Sequence, residues 1–225
     1  GHTDVVLGMI FSKADPNFQN SKGETPVFVA AKHNQLDALK VLLDAKADPD
    51  KGNNERKTPL MISIQSNQHN VETLKLLLQS KADLDKLDSC GQSSIHVAST
   101  FNNVEAFDFL IEAKCSTLHA VAKNGANALI MAACQGHLEI VKRIVSLKGD
   151  ISLKTQWGDA LQLAKKGKHP SVIELLTVNS PHSPSATSDA AIEKQAHTRQ
   201  TLPKLGRKGH LITHLMNMFD LTSAN

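Results

Sequence analysis

Apolar residues fall at helical spacing in five stretches: "LDALKVLL" from Leu36, "VETLKLLL" from Val71, "VEAFDFLI" from Val104, "LEIVKRIV" from Leu138 and "PSVIELL" from Pro170. Each predicts a short amphipathic helix with one buried stripe. Ahead of each stands a second run: "TPVFVAA" from Thr25, "TPLMISI" from Thr58, "SSIHVAS" from Ser93, "NALIMAA" from Asn127 and "DALQLAK" from Asp159, at steps of 33, 35, 34 and 32 residues. The charged stretch "SKADPN" (Ser12 to Asn17) keeps the same beat, returning as "AKADPD" (Ala45 to Asp50) and "SKADLD" (Ser80 to Asp85). A period in that range predicts a stack of two-helix units, because one unit is too small to bury its own apolar face.

The polar residues between the runs mark where helices begin and end. Thr25, Thr58, Ser93, Asn127 and Asp159 are all of types whose side-chain oxygen caps a helix N-terminus. Pro26 and Pro59 stand at the first helical position, where a missing N–H costs nothing. Gly23, Gly91, Gly125 and Gly158 precede four of the caps and suit the positive φ of a tight turn; Arg56 takes that place once, which predicts a strained or rearranged turn. Lys13, Lys46, Lys81, Lys114 and Lys148 stand where the outer helices end. A left-handed cap there favours glycine. Lysine therefore carries backbone strain, offset in part by its charge at the negative end of the helix dipole.

Turn, T-P-L-H-like cap, Ala-Ala inner helix, G-H-L-E-I-V-like outer helix and "GAD"-like exit together resemble the ankyrin repeat. "ACQGHLEIVKRIV" (Ala133 to Val145) is the closest match, and "GHTDVVLGMI" at the start resembles the outer helix of one more unit. The chain departs from the pattern in three ways: the motif histidine survives only as His96, "SNQHN" (Ser66 to Asn70) adds two residues between helices, and the exit glycine is mostly lysine. The resemblance implies an all-α fold, an ankyrin-repeat solenoid of stacked helix-turn-helix units joined by β-hairpin-like loops. It covers residues 1–177, with a partial first repeat and repeats starting near 25, 58, 93, 127 and 159.

Residues 178–225 read as a second, mostly disordered region. "NSPHSPSATSD" (Asn179 to Asp189) is a Ser/Pro-rich linker in which no apolar stripe can form. Ser180-Pro181 and Ser183-Pro184 are candidates for a proline-directed phosphate. "HLITHLMNMFDL" (His210 to Leu221) predicts a short amphipathic helix with Leu211, Leu215 and Phe219 on one face, preceded by Lys204, Arg207 and Lys208. That order suits either docking onto a partner or capping the open end of the stack.

Composition narrows the function. Aromatic residues make up 4% of the chain, so Ala and aliphatic side chains must do the packing. Cys90, Cys115 and Cys134 are odd in number and lack C-x-x-C spacing, which points to free thiols in a reducing compartment, the cytoplasm or the nucleus. No apolar run approaches the roughly 18 residues of a membrane span. The chain lacks an initiating Met and opens inside a unit, so a longer parent is expected, with room upstream for a targeting signal or a whole domain. Residues 1–176 hold 20 Lys and Arg against 19 Asp and Glu; without a clustered basic footprint, nucleic acid is not the expected partner. No phosphate loop, H-E-x-x-H or G-x-S-x-G motif is present, and His210 and His214 lack a third ligand. Neither catalysis nor a cofactor nor a metal is expected, and the protein is expected to be monomeric.

What the resemblance implies is a protein-binding surface on the concave face, built from turn tips and inner helices. The repeat pattern assigns it Lys22, Glu24, Lys32 and His33 in the first full unit and Glu55, Lys57, Gln65 and Ser66 in the second. Ser89, Cys90, Gln92, Thr100 and Phe101 belong to the third, with Gln135, Gln156 and Trp157 beyond. Phe101 and Trp157 are the candidate anchors; Trp157 has the alternative role of a lid on the last unit. The expected function is a scaffold or adaptor that binds another protein. The alternative is a regulatory or targeting segment of a larger enzyme or channel.

Overall fold

The computed structural model describes residues 2–66 and 71–179, except for the side chains of His2, Thr3, Val5 and Met9. The linker beyond Asn179, the phosphate candidates, the tail helix and residues 67–70 of the insertion lie outside the described residues. Helix α1 (His2–Phe11) is followed by five pairs: α2 (Pro26–Lys32) and α3 (Leu36–Asp44), α4 (Pro59–Gln65) and α5 (Val71–Gln79), α6 (Ser94–Thr100) and α7 (Val104–Glu112), α8 (Ala128–Gln135) and α9 (Leu138–Ser146), α10 (Ala160–Gly167) and α11 (Pro170–Val178). A 3-10 turn spans Thr117–His119, and a two-residue antiparallel pair, β1 (Lys154–Thr155) and β2 (Gly158–Asp159), precedes α10.

The caps explain why the inner helices start where they do. Side-chain oxygens of Thr25, Thr58, Asn127 and Asp159 accept the N–H of Phe28, Met61, Ile130 and Gln162. In the third unit Ser93 instead gives its hydroxyl to His96 Nδ1 at 2.8 Å, and its own N–H points at the same nitrogen. His96 Nε2 then donates to Ala120 O at 3.0 Å, so the ring is neutral and fully used. Burial pushes its pKa below the usual histidine value.

Inner helices α2, α4, α6, α8 and α10 pack in sequence as one layer, and α1, α3, α5, α7, α9 and α11 as a second. The same position recurs in α3, α5, α7 and α9 as Leu39, Leu74, Phe107 and Val141, all fully buried, and in α11 as half-buried Ile173. Val27, Leu60, Ile95 and Leu129 of the inner helices are buried with them in one core cluster. Burying one such side chain contributes about 1.5–3 kcal/mol. Both helices of a unit are too short to persist alone, so stacking supplies the stability that local propensity does not.

The outer helices end as the lysines foretell. Lys13, Lys46, Lys81, Lys114 and Lys148 all take positive φ, between 56° and 65°. At the last four of these lysines, which end α3, α5, α7 and α9, the lysine N–H and the next N–H fold back on the final turn, as in Lys46 N to Leu43 O and Ala47 N to Leu42 O. This pairing satisfies carbonyls that a helix end leaves open, and it demands a left-handed residue at the lysine. Asp15, Asp48, Asp83 and Asp150 each accept the N–H two residues on, so they close the turn. Asn17, Asp50 and Asp85 then accept the N–H of Asp48, Asp83 and Ser116 in the following unit. Arg56 has φ 60° and donates its N–H to Asn53 O at 2.8 Å, as Gly23 and Gly91 do to Asn20 and Asp88. The turn is strained but not rearranged.

Candidate functional site

The first three hairpins are each built around one acceptor side chain. Asn20 Oδ1 takes the N–H of Lys22 and Glu24, Asn53 Oδ1 those of Glu55 and Lys57, and Asp88 Oδ1 those of Cys90 and Gln92. The tips are then tied across units: Asn54 N to Lys22 O at 3.1 Å, Ser89 N to Glu55 O at 2.8 Å and Lys123 N to Cys90 O at 2.9 Å. Four tips from four different units thus form one hydrogen-bonded row. The fifth linker pairs with itself through β1 and β2.

A second set of ties holds the other end of the inner helices. Asn103 Nδ2 donates to Ile64 O, His137 Nε2 to Thr100 O and His169 Nε2 to Cys134 O, at 3.2, 2.9 and 3.0 Å. Each satisfies a carbonyl at the end of the preceding inner helix. Burial, against the pull of the Thr100 hydrogen bond, leaves the His137 pKa below its usual value.

Most of the expected partner-binding residues lie at the tips and helix ends with surface to offer. Lys22, His33, Glu55, Ser89 and Gln156 are exposed; Glu24, Lys32, Lys57, Gln65, Ser66, Cys90, Phe101, Gln135 and Trp157 are half-buried. Two are not surface residues at all. Gln92 is 5% exposed and Thr100 4%. Thr100 turns its hydroxyl back to His96 O at 2.9 Å and lies against Met131 Sδ, because the Met of the next inner helix fills the space that a polar contact would need. Gln92 is enclosed at the base of its hairpin. Trp157 packs partly against the core of the last unit, and Lys166 Nζ donates to its carbonyl.

Two carboxylates on this side are locked by lysines: Glu24 to Lys32 at 3.2 Å and Glu55 to Lys57 at 3.0 Å. A hydrogen bond from Asn20 and the Lys32 ammonium together hold the Glu24 carboxyl below its usual pKa. Arg56, expected only as a turn residue, and Lys123, not among the expected binding residues, are both exposed at the tips. Sorting charges by their place in the repeat would have found them. The three cysteines are free, and burial raises the Cys115 and Cys134 thiols, which keeps them protonated and weakly nucleophilic.

On the opposite side a groove of about 540 Å³ runs between the ends of α3 and α5, lined by Lys40, Asp44, Lys46, Leu76 and Lys81 among others. Its mixed charges mark no chemistry. Among the described residues no three His, Cys, Asp or Glu side chains gather as a metal site, and no helix is long and apolar enough to cross a membrane.

A family model for ankyrin repeats, in three copies, matches residues 1–88 and again 67–156. No curated protein matches the chain. Repeats of this kind are generally protein–protein interaction modules. With five helix pairs in the matching order, the chain belongs to the ankyrin-repeat family.

Proposed function

We propose that the chain is a scaffold or adaptor that holds a partner protein against its hairpin tips and inner-helix ends. The observation that carries this reading is the tied row of tips. Backbone bonds between units fix residues 22, 54–55, 89–90 and 123 relative to one another, while the side chains of Lys22, Glu55, Ser89 and Lys123 stay exposed. A surface that is already ordered loses little conformational entropy on binding. Half-exposed Phe101 and Trp157 add the aromatic area on which interface affinity tends to concentrate.

The test is site-specific photocrosslinking in cells, with a benzophenone amino acid at His33, Ser66 or Phe101 and, for comparison, at Lys40 or Lys142 on the outer helices. The expected result is one partner captured from the three inner positions and not from the outer pair. Equal capture from both sets would remove the inner face as the binding surface.

A further inference from the structure

The stack is nearly neutral as a whole but not side by side. Take the inner side as the hairpin tips, the inner helices and the turns that leave them, residues 20–34, 53–66, 88–102, 122–136 and 154–168. It holds nine Lys and Arg and four Asp and Glu, whereas the rest of the described chain holds eleven and fifteen. The outer helices and the turns that leave them take the acidic residues, and the inner side is left basic.

The four inner carboxylates are also all engaged within the fold. Glu24 is tied to Lys32 and Asn20, Glu55 to Lys57, Asp88 to two N–H groups of its own hairpin and Asp159 to the N–H of Gln162. Lys22, Arg56 and Lys123, by contrast, are exposed at the tips, and among the described residues none of the three forms an ion pair. Lys22 lies near enough to Glu24 to help hold its pKa down, yet with nine cations against four carboxylates this side offers a partner net positive charge.

The spacing says what shape of anion fits. Packed helices lie roughly 10 Å apart, so Lys22 and Lys123, three units apart, stand on the order of 30 Å from each other. At about 3.3 Å per residue an extended chain of roughly ten residues spans that distance. The cations occur singly along the row, not as the clustered footprint that nucleic acid selects.

Resting on the proposed inner-face reading, we infer that the partner segment bound there is an extended acidic stretch of polypeptide. Opposite charge steers the encounter and fixes the register, and salt weakens it.

The experiment uses the whole chain and a fluorescently labelled oligoglutamate of about twelve residues, long enough to span the row, followed by anisotropy across a salt series. Oligolysine and a single-stranded oligonucleotide of equal charge serve as comparison probes. The triple variant Lys22→Glu, Arg56→Glu, Lys123→Glu is set against Lys40→Glu, Lys81→Glu, Lys114→Glu, which adds the same charge to the outer side. Oligoglutamate should bind at low salt and lose about tenfold in affinity with the inner triple and less than about twofold with the outer one. Equal losses in both triples, no binding of oligoglutamate, or tighter binding of the oligonucleotide that depends on the inner triple would each overturn the inference. Should the inner triple fail to fold by circular dichroism, the single change Lys22→Glu takes its place, with a loss that must still exceed that of Lys40→Glu. If crosslinks from His33 persist while oligoglutamate does not bind, the inner face stands and its acidic partner falls. Loss of the crosslinks with oligoglutamate binding intact would do the reverse.

Discussion

Replacing all five exit lysines isolates the energetic cost of their backbone conformation. Lys13, Lys46, Lys81, Lys114 and Lys148 are exposed and hold φ between 56° and 65°, so their side chains contribute charge but little packing. A Cβ in the left-handed region costs roughly 1–2 kcal/mol. Glycine removes that cost but brings about 0.5–1 kcal/mol of extra freedom in the unfolded chain. Alanine keeps the strain. Both variants lose the ammonium from the helix end, so the dipole contribution of about 0.3–1 kcal/mol per site cancels between them. What remains is about 0.5–1 kcal/mol per site in favour of glycine, or about 3–5 kcal/mol over five sites. At about 2–4 °C per kcal/mol for a chain of this size, the five-glycine variant should melt about 10 °C above the five-alanine variant. Thermal melts followed by circular dichroism, repeated in urea, measure the gap. Coincident melting of the two variants would mean that no backbone strain is carried at these positions. The wild-type protein, alone in keeping the ammonium groups, should also lose more stability in high salt than either variant does.

Three further outcomes are expected. Gly136→Ala should cost more than the roughly 1 kcal/mol of its positive φ of 79°, because a Cβ there would lie 2.3 Å from His169 Nδ1 and push that ring off Cys134 O; hydrogen exchange at the start of α11 reports the loss. Phe107→Ala removes a fully buried side chain and should destabilise by about 3–5 kcal/mol, read as a lower urea midpoint. His96 and His137 both have folded pKa values below the ordinary one because burial disfavours the charged ring. Their contribution to stability is therefore full above about pH 6.5 and is lost as the pH falls through the lowered values. The melting temperature should drop between pH 7 and 5, and a shallower drop in His137→Asn is the check. An unchanged slope in that variant would remove His137 as a source.

The repeat pattern was legible because its signals are local. A cap oxygen reaches the N–H three residues on, a proline fixes its own φ, and an apolar stripe needs only the helical period. Hence the observed starts at Pro26, Leu36, Pro59 and Val71 follow from neighbours in the chain. Even the left-handed lysines were predictable, since the closing hydrogen bonds of a helix end involve residues within one turn.

Contacts between residues one repeat apart could not be read that way. Thr100 has the polarity and position of a binding residue, yet Met131 of the next inner helix covers it; Gln135, in the corresponding unit position to Phe101, stays half-exposed. For Arg56 the Asn53 acceptor within its own turn was a local sign, but the tie from Ser89 N to Glu55 O that holds the turn from the next unit was not. The charge division lies between the two. Along the sequence Lys and Arg mix with Asp and Glu almost evenly, and the repeat register already sorts them by unit position; only stacking turns that sorting into a face, because it brings side chains one repeat apart together and sends their sequence neighbours to the other side.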